Sequence, residues 1–206
     1  MSRLTIGIVD YGVGNLASIQ HSLHALGYRC RTSSDPEALD QTDALLLPGV
    51  GAFPHAMASL HARSLDQYIT NEAREGKPVI GICLGMQLLA DRSTEVAPTA
   101  GLGLIPGQVL PLHQPDWHIG WNNIEVIRDD AMFDKSDGIP VYFNHSYVFH
   151  SPLEYQVAVA RIDSLSTSFP IAVRRGNVVG LQFHPEKSQH GGRQLLASVI
   201  EGLCHA

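Results

Sequence analysis

At 206 residues, 44% of them hydrophobic and 17% charged, the chain has the length and composition of a globular protein with room for a sizeable core. A formal net charge of −6, with no Lys/Arg cluster longer than the pair Arg174-Arg175, argues against nucleic acid or an anionic membrane as the main partner. Cys30, Cys83 and Cys204 show no paired spacing, so neither a disulfide framework nor a zinc site is expected. No run reaches the roughly 18 apolar residues of a membrane span, and Leu4 enters a strand-like run with no signal-peptide core before it. A reducing, cytoplasmic setting is the expectation.

Leu4 to Val9 is apolar and β-branched, and it ends at Asp10-Tyr11-Gly12-Val13-Gly14-Asn15. Leu16, Ile19, Leu23 and Leu26 then recur at helical spacing, closed by Gly27. Tyr28 to Thr32 reads as a weaker strand, and Asp35-Pro36 starts a turn or short helix. Ala44 to Leu47 is a buried-strand run that stops at Pro48-Gly49-Val50-Gly51. Phe53 to Glu75 is helical, in one or two pieces, and stops at Gly76. Val79 to Ile82 is the next strand, with helix-forming Met86 to Ala90 close behind. Strands alternating with helices predict βαβ units and a parallel sheet. After about residue 100 the texture changes, because Pro106, Pro111 and Pro115 with Gly101, Gly103 and Gly107 cut the chain into short pieces. Strand-like segments around 118–127, 140–149 and 155–162 predict an antiparallel or mixed addition. Ile171 to Val173 pairs with Val178 to Phe183 across Arg175-Gly176-Asn177, and Leu195, Leu196, Val199, Ile200 and Leu203 mark an amphipathic closing helix from Gln189. With no linker or repeat, one α/β domain over residues 1–206 is expected.

Ligands of open α/β sheets bind beyond the carboxyl ends of the strands. Four special stretches sit at such ends: Asp10-Tyr11-Gly12, Pro48-Gly49-Val50-Gly51, Gly81-Ile82-Cys83-Leu84-Gly85 and His184-Pro185-Glu186. The third is a Gly-x-Cys-x-Gly turn between an apolar strand and a helix, the sulfur version of a nucleophile elbow. Its glycines allow a tight turn, and the following helix N-terminus would favour a thiolate. A small, buried, inert cysteine fits the same local pattern. A thiol nucleophile needs a base, and the base needs an orienting group. His184 and Glu186, two apart on an extended segment with Pro185 stiffening it, would point the same way and could supply both. Solvated polar residues at a strand end would look alike.

Gly81-Ile82-Cys83-Leu84-Gly85-Met86-Gln87 together with Gln182-Phe183-His184-Pro185-Glu186 resembles the triad (class I) glutamine amidotransferases over essentially the whole chain. The resemblance implies a three-layer fold with a mostly parallel central sheet and a smaller antiparallel or mixed sheet in the C-terminal half. It implies Cys83 as nucleophile, His184 as acid-base and Glu186 as its orienter, acting on the side-chain amide of glutamine, with no cofactor and no metal. Asp10-Tyr11-Gly12-Val13-Gly14-Asn15, Pro48-Gly49-Val50-Gly51-Ala52-Phe53, His118-Ile119-Gly120-Trp121-Asn122, His145-Ser146-Tyr147 and His184-Pro185-Glu186-Lys187-Ser188 are further similar to the glutaminase subunits of imidazole glycerol phosphate synthases. In those, ammonia passes to a (β/α)₈-barrel cyclase subunit, which makes imidazole glycerol phosphate and aminoimidazole carboxamide ribotide in histidine biosynthesis.

By the same resemblance Gly49, Val50, Gly51 and Leu84 form an oxyanion hole on a loop that reorients when the partner binds, which glycines at 49 and 51 permit. Gln87, Glu95, His145, Ser146 and Tyr147 hold the amino-acid end of the substrate, Gln87 lying one helical turn beyond Cys83. Asn15, Trp121, Tyr142 and Lys187 face the partner, although Asn15 also suits a helix N-cap, Trp121 a core, and Glu95 and Lys187 solvent. Trp117 departs from the proline common at that place, which alters the docking face and not the triad. Glutaminase subunits of anthranilate or guanylate synthesis and a partner-independent thiol hydrolase are the competing readings. The Pro-Gly-Val-Gly-Ala-Phe and His-x-Gly-Trp-Asn stretches weigh against the first, and a dependence on a partner would exclude the second.

Overall fold

In the computed structural model, which describes residues 3–113, 116–162 and 168–205, the first half of the chain alternates strand and helix as its periodicity predicts. The order is β1 (Thr5–Val9), α1 (Leu16–Ala25), β2 (Arg29–Ser33), α2 (Pro36–Asp40), β3 (Ala44–Leu47), α3 (Phe53–His61), α4 (Leu65–Arg74), β4 (Val79–Ile82) and α5 (Leu84–Leu88). The long helical stretch is thus two helices, broken where Ser64 takes a left-handed φ of 56°. The second half holds β5 (Arg92–Ser93), β6 (Thr99–Ala100), β7 (Gln108–Pro111), β8 (His118–Asn123), β9 (Glu125–Val126), β10 (Pro140–His145) and β11 (Tyr147–His150). It closes with β12 (Gln156–Arg161), β13 (Ser168–Arg175), β14 (Val178–Leu181) and α6 (Gln189–Cys204). The break expected at Pro115 lies outside the described residues.

All four residues of β3 are buried, and they alternate between two apolar clusters: Ala44 and Leu46 on one face, Leu45 and Leu47 on the other. A strand buried on both faces requires helices on both, which is what makes three layers. Ile19 and Leu23 of α1 with Leu196, Val199 and Ile200 of α6 cover one face. Phe53, Leu60, Leu65 and Ile69 of α3 and α4, with Met86 and Leu88 of α5, cover the other.

The main sheet runs β2-β1-β3-β4-β14-β13-β12-β9. Its pairings are parallel from β2 through β14 and antiparallel beyond. The added part is divided further than expected, into a β10-β8 pair and a four-stranded β11-β7-β5-β6 sheet. The 140–149 segment accordingly breaks at Ser146, each half joining a different sheet. Because β1, β3, β4 and β14 are parallel neighbours, their carboxyl ends bring the four special turns to one edge.

Candidate active site

The turn after β4 is strained and tightly packed. Cys83 has φ 55° and ψ −112°, a backbone region that costs an L-residue about 1–3 kcal/mol and persists only when its surroundings enforce it. Enforcement comes from the Cys83 N–H, which donates to the Leu181 carbonyl at 2.7 Å, and from the two glycines. A Cβ at Gly81 would lie 2.5 Å from the Gly85 oxygen, and one at Gly85 only 1.9 Å from the Leu47 oxygen. The helix begins at Leu84, two residues before Met86, since the turn feeds straight into it.

Cys83 is buried at the floor of a cavity of about 320 Å³, with His184 beside it. Hydrogen-bond-range neighbours of its Sγ are the Asn144 carbonyl and the Gln182 amide, each at 3.9 Å. His184 Nδ1 lies 2.8 Å from Glu186 Oε1, both side chains almost fully buried. Burial alone would drive the imidazole toward its neutral form, but interaction with Cys83 and Glu186 outweighs it and raises the His184 pKa to about 9. Glu186 meets the ring by a route other than the strand period: it sits in a 3-10 turn, Pro185–Lys187, that folds its carboxylate back under His184. His184 itself is extended, as a residue before proline should be.

Val50, Gly51 and Leu84 line the same cavity, and none of their amides donates to another group among the described residues. Three free N–H groups beside a thiol can stabilise a developing oxyanion. Gly51 has φ +96°, and a Cβ added there would meet nothing within 4 Å, so conformation and not space calls for glycine. Gly49 does not line the cavity; its backbone packs against Leu84 and Gly85, where a Cβ would come within 2.7 Å. The base of the loop is held by the buried Tyr11, whose hydroxyl donates to the Pro48 carbonyl at 2.5 Å.

Gln87, Glu95, His145, Ser146 and Tyr147 all line the same cavity. Gln87 is itself buried and donates to the Tyr147 carbonyl at 2.9 Å and to Gln182 at 3.1 Å, so it braces the wall. Glu95 is no solvated charge: its carboxylate accepts from the Phe53 N–H at 2.8 Å, at the start of α3, and burial raises its pKa. His145 Nδ1 faces the Tyr147 carbonyl at 2.9 Å, and burial with His118 and His184 nearby pushes its pKa down to about 3.

A family model for class-I glutamine amidotransferases matches residues 7–200. The chain belongs to the class-I glutamine amidotransferase family. It is 44% identical to the imidazole glycerol phosphate synthase subunit HisH of Symbiobacterium thermophilum, over 99% of this chain and 96% of that one. It is 43% identical to the subunit of the same name in Listeria monocytogenes, over 95% of each chain. Among solved structures it resembles PurLQS from Thermotoga maritima with a TM-score of 0.77 at 22% identity, covering 97% and 99% of the two chains. A crystal structure of a glutamine amidotransferase matches with a TM-score of 0.75 at 20% identity, covering 98% and 99%. These two likenesses concern the fold.

Around the mouth of this amidotransferase's cavity lies an apolar rim, only part of which the sequence reveals. Trp121 is 47% exposed and meets Tyr142 edge-on at 5.8 Å, so it is no core tryptophan. Ile119 and Trp117, each 61% exposed, and Val50 extend the rim, and Trp117 Nε1 donates to Asn144 at 2.8 Å. Lys187 lines the cavity with its ammonium 5.8 Å from the Tyr142 ring centre. Asn15 is the N-cap of α1, its side-chain oxygen accepting from the Ser18 N–H at 3.4 Å, and it is exposed. Asn144 and Gln182 are the polar neighbours of Cys83; Gln182 falls within the quoted His184 motif, and nothing local in the sequence marks Asn144. Among the described residues no cluster of three or more His, Cys, Asp or Glu could hold a metal ion, and no helix is long and apolar enough to cross a membrane.

Proposed function

We propose that this amidotransferase is the glutaminase subunit of an imidazole glycerol phosphate synthase, a heterodimer with a (β/α)₈ cyclase subunit. The observation that carries the catalytic part is the buried His184–Glu186 contact of 2.8 Å set beside Cys83 in a cavity with three free amides. The names borne by relatives at 43–44% identity support the pathway.

In this reading the Cys83 sulfur attacks the side-chain amide carbon of glutamine. The oxyanion so formed is received by the amides of Val50, Gly51 and Leu84. His184, holding its proton through Glu186, delivers it to the departing nitrogen, and ammonia leaves a glutamyl thioester. Water then adds to the thioester carbon while His184 takes its proton. The thiolate leaves, and glutamate is released. Every step uses the chain's own groups and water, so no cofactor is called for. Gln87, Glu95, His145, Ser146 and Tyr147 form the wall against which the amino-acid end of glutamine rests. The apolar rim with Trp121, Tyr142 and Lys187 takes the cyclase, in whose barrel the ammonia is used. Ammonia set free in water at neutral pH would mostly become ammonium and lose its nucleophilicity, which is the physical reason for a docked acceptor. Residues 1–206 act as one domain, supported by a main sheet that draws strands from both ends of the chain. A cytoplasmic location suits a nucleophile that must remain a free thiol.

Glutamine hydrolysis measured for the chain alone, with the cyclase, and with cyclase plus its nucleotide substrate tests the proposal. Slow turnover alone and stimulated turnover in the ligand-bound complex are expected; fast hydrolysis by the isolated chain would contradict the partner assignment. Cys83→Ala should reduce glutamine-dependent synthesis to background and leave synthesis from added ammonium salt intact.

A further inference from the structure

The base stands past the end of the main sheet: β14 stops at Leu181, and the chain bends at Gln182 and Phe183 before it reaches His184. Its backbone is held instead by β10, which belongs to the separate β10-β8 pair. The His184 N–H donates to the Tyr142 carbonyl at 2.9 Å. In an antiparallel hydrogen-bonded pair a second bond would run straight back from the Tyr142 N–H to the His184 carbonyl. Here it passes through a side chain. The Tyr142 N–H donates to Ser188 Oγ at 2.9 Å, and the Ser188 hydroxyl donates to the His184 carbonyl at 2.6 Å. The directions are fixed, since an amide N–H only donates, a carbonyl only accepts, and the hydroxyl does one of each. Ser188 is also the N-cap of α6, yet its hydroxyl makes no cap bond, so the ordinary reason for serine at that place is absent. The residue is buried, and room for it is kept by Gly192, where an added Cβ would lie 2.2 Å from the Ser188 Cβ. No step of the proposed reaction uses it.

We infer that Ser188 is a positioning residue for His184: its hydroxyl ties the backbone of the base to Tyr142 of β10, a residue of the proposed docking rim. The inference rests on the glutaminase reading. Without the hydroxyl the Tyr142 N–H loses its acceptor, and His184 keeps one link to β10 in place of two. A backbone that can pivot about one bond lets the imidazole drift from the departing nitrogen, and a misplacement of about 1 Å is costly to proton transfer. Neither hydroxyl bond runs to the wall that receives the amino-acid end of glutamine, so binding is spared.

The test compares the cyclase complex carrying wild-type chain or Ser188→Ala on two substrates, glutamine and its γ-hydroxamate. Hydroxylamine is a weaker base than ammonia and departs with less help from an acid. With glutamine, kcat should fall about 10-fold in Ser188→Ala while KM stays within about 3-fold. With the hydroxamate, kcat/KM should stay within about 3-fold of wild type. An unchanged kcat on glutamine, a loss carried by KM, or equal losses on the two substrates would overturn the inference, the last because a general distortion of the site does not distinguish leaving groups. Hydrogen exchange at the Tyr142 amide of the wild-type chain should be slowed about 100-fold or more relative to an unstructured peptide. Unprotected exchange there would overturn the inference as well, and this measurement decides should Ser188→Ala fail to fold. Absence of glutamine hydrolysis in the wild-type complex would sink the glutaminase reading instead, on which the exchange measurement does not depend.

Discussion

Two histidines that line the cavity with Cys83 are pushed in opposite directions. Burial, His118 and His184 lower His145 to about 3, while Cys83 and Glu186 raise His184 to about 9 against the pull of burial. In the unfolded chain both would titrate near their ordinary value of about 6.5. Between about 6.5 and 3 the unfolded chain binds the His145 proton more readily, so stability falls as acid is added. Between about 6.5 and 9 the folded chain binds the His184 proton more readily, so the stability it contributes below that window is lost as pH rises. Thermal midpoints measured across pH should therefore peak near about 6.5 and fall on both sides. Glu186→Gln removes one of the groups that raise His184 and should flatten the alkaline limb while leaving the acid limb; an unaltered alkaline limb would refute this origin. The same substitution bears on catalysis, since a neutral amide holds the imidazole's proton less well during ammonia release.

At the scale of elements, the elbow is a demanding piece of backbone. Three elements meet there: β3 through Leu47, β4 through Gly81 and α5 through Gly85. Gly85→Ala would drive a methyl into the Leu47 carbonyl, a rigid backbone group with no side-chain freedom to yield. A loss of about 3 kcal/mol or more in urea unfolding is expected, at the upper end of what overpacking costs. A loss under about 1 kcal/mol would mean that the elbow relaxes easily and does not hold Cys83 under strain. The expectation of a strand, a glycine-flanked cysteine and a helix is legible from residues 78–87, because a tight turn imposes local residue types. The helical break at Ser64 is less legible, since nothing at Ala62-Arg63-Ser64 is a strong breaker and the bend follows from packing α3 and α4 on one sheet face.

For the whole molecule the informative feature is where apolar surface is left uncovered. Ile119, Trp117, Trp121 and Val50 are exposed beside a cavity whose contents must not escape as ammonium. Large exposed apolar groups clustered at one place mark an interaction surface. Ile119→Asp should weaken binding of the cyclase about 10-fold or more, with the thermal midpoint of the free chain unchanged because Ile119 supports no core contact. Isothermal titration with the purified cyclase reads the affinity; unchanged affinity would move the docking face elsewhere. Nothing in the sequence marks Ile119, because β8 alternates buried and exposed positions and only its surroundings tell which exposed ones matter.

Residue order alone determined the parallel α/β half, the elbow at Cys83, the extended His184 before proline and the convergence of four strand-end turns. Each depends on rules acting within a few residues: strand period, glycine at a tight turn, proline's restriction of its neighbour. Tertiary structure alone decided that Glu186 reaches His184 through a 3-10 turn, that Gly49 packs against Leu84 and Gly85, and that Glu95 binds the first amide of α3. It also brought His118, His145 and Tyr147 into line across two small sheets. Apart from the local Glu186–His184 and His145–Tyr147 contacts, these join segments far apart in the chain. Many partners offer the same hydrogen-bonding groups, and only the order and register of strands select among them.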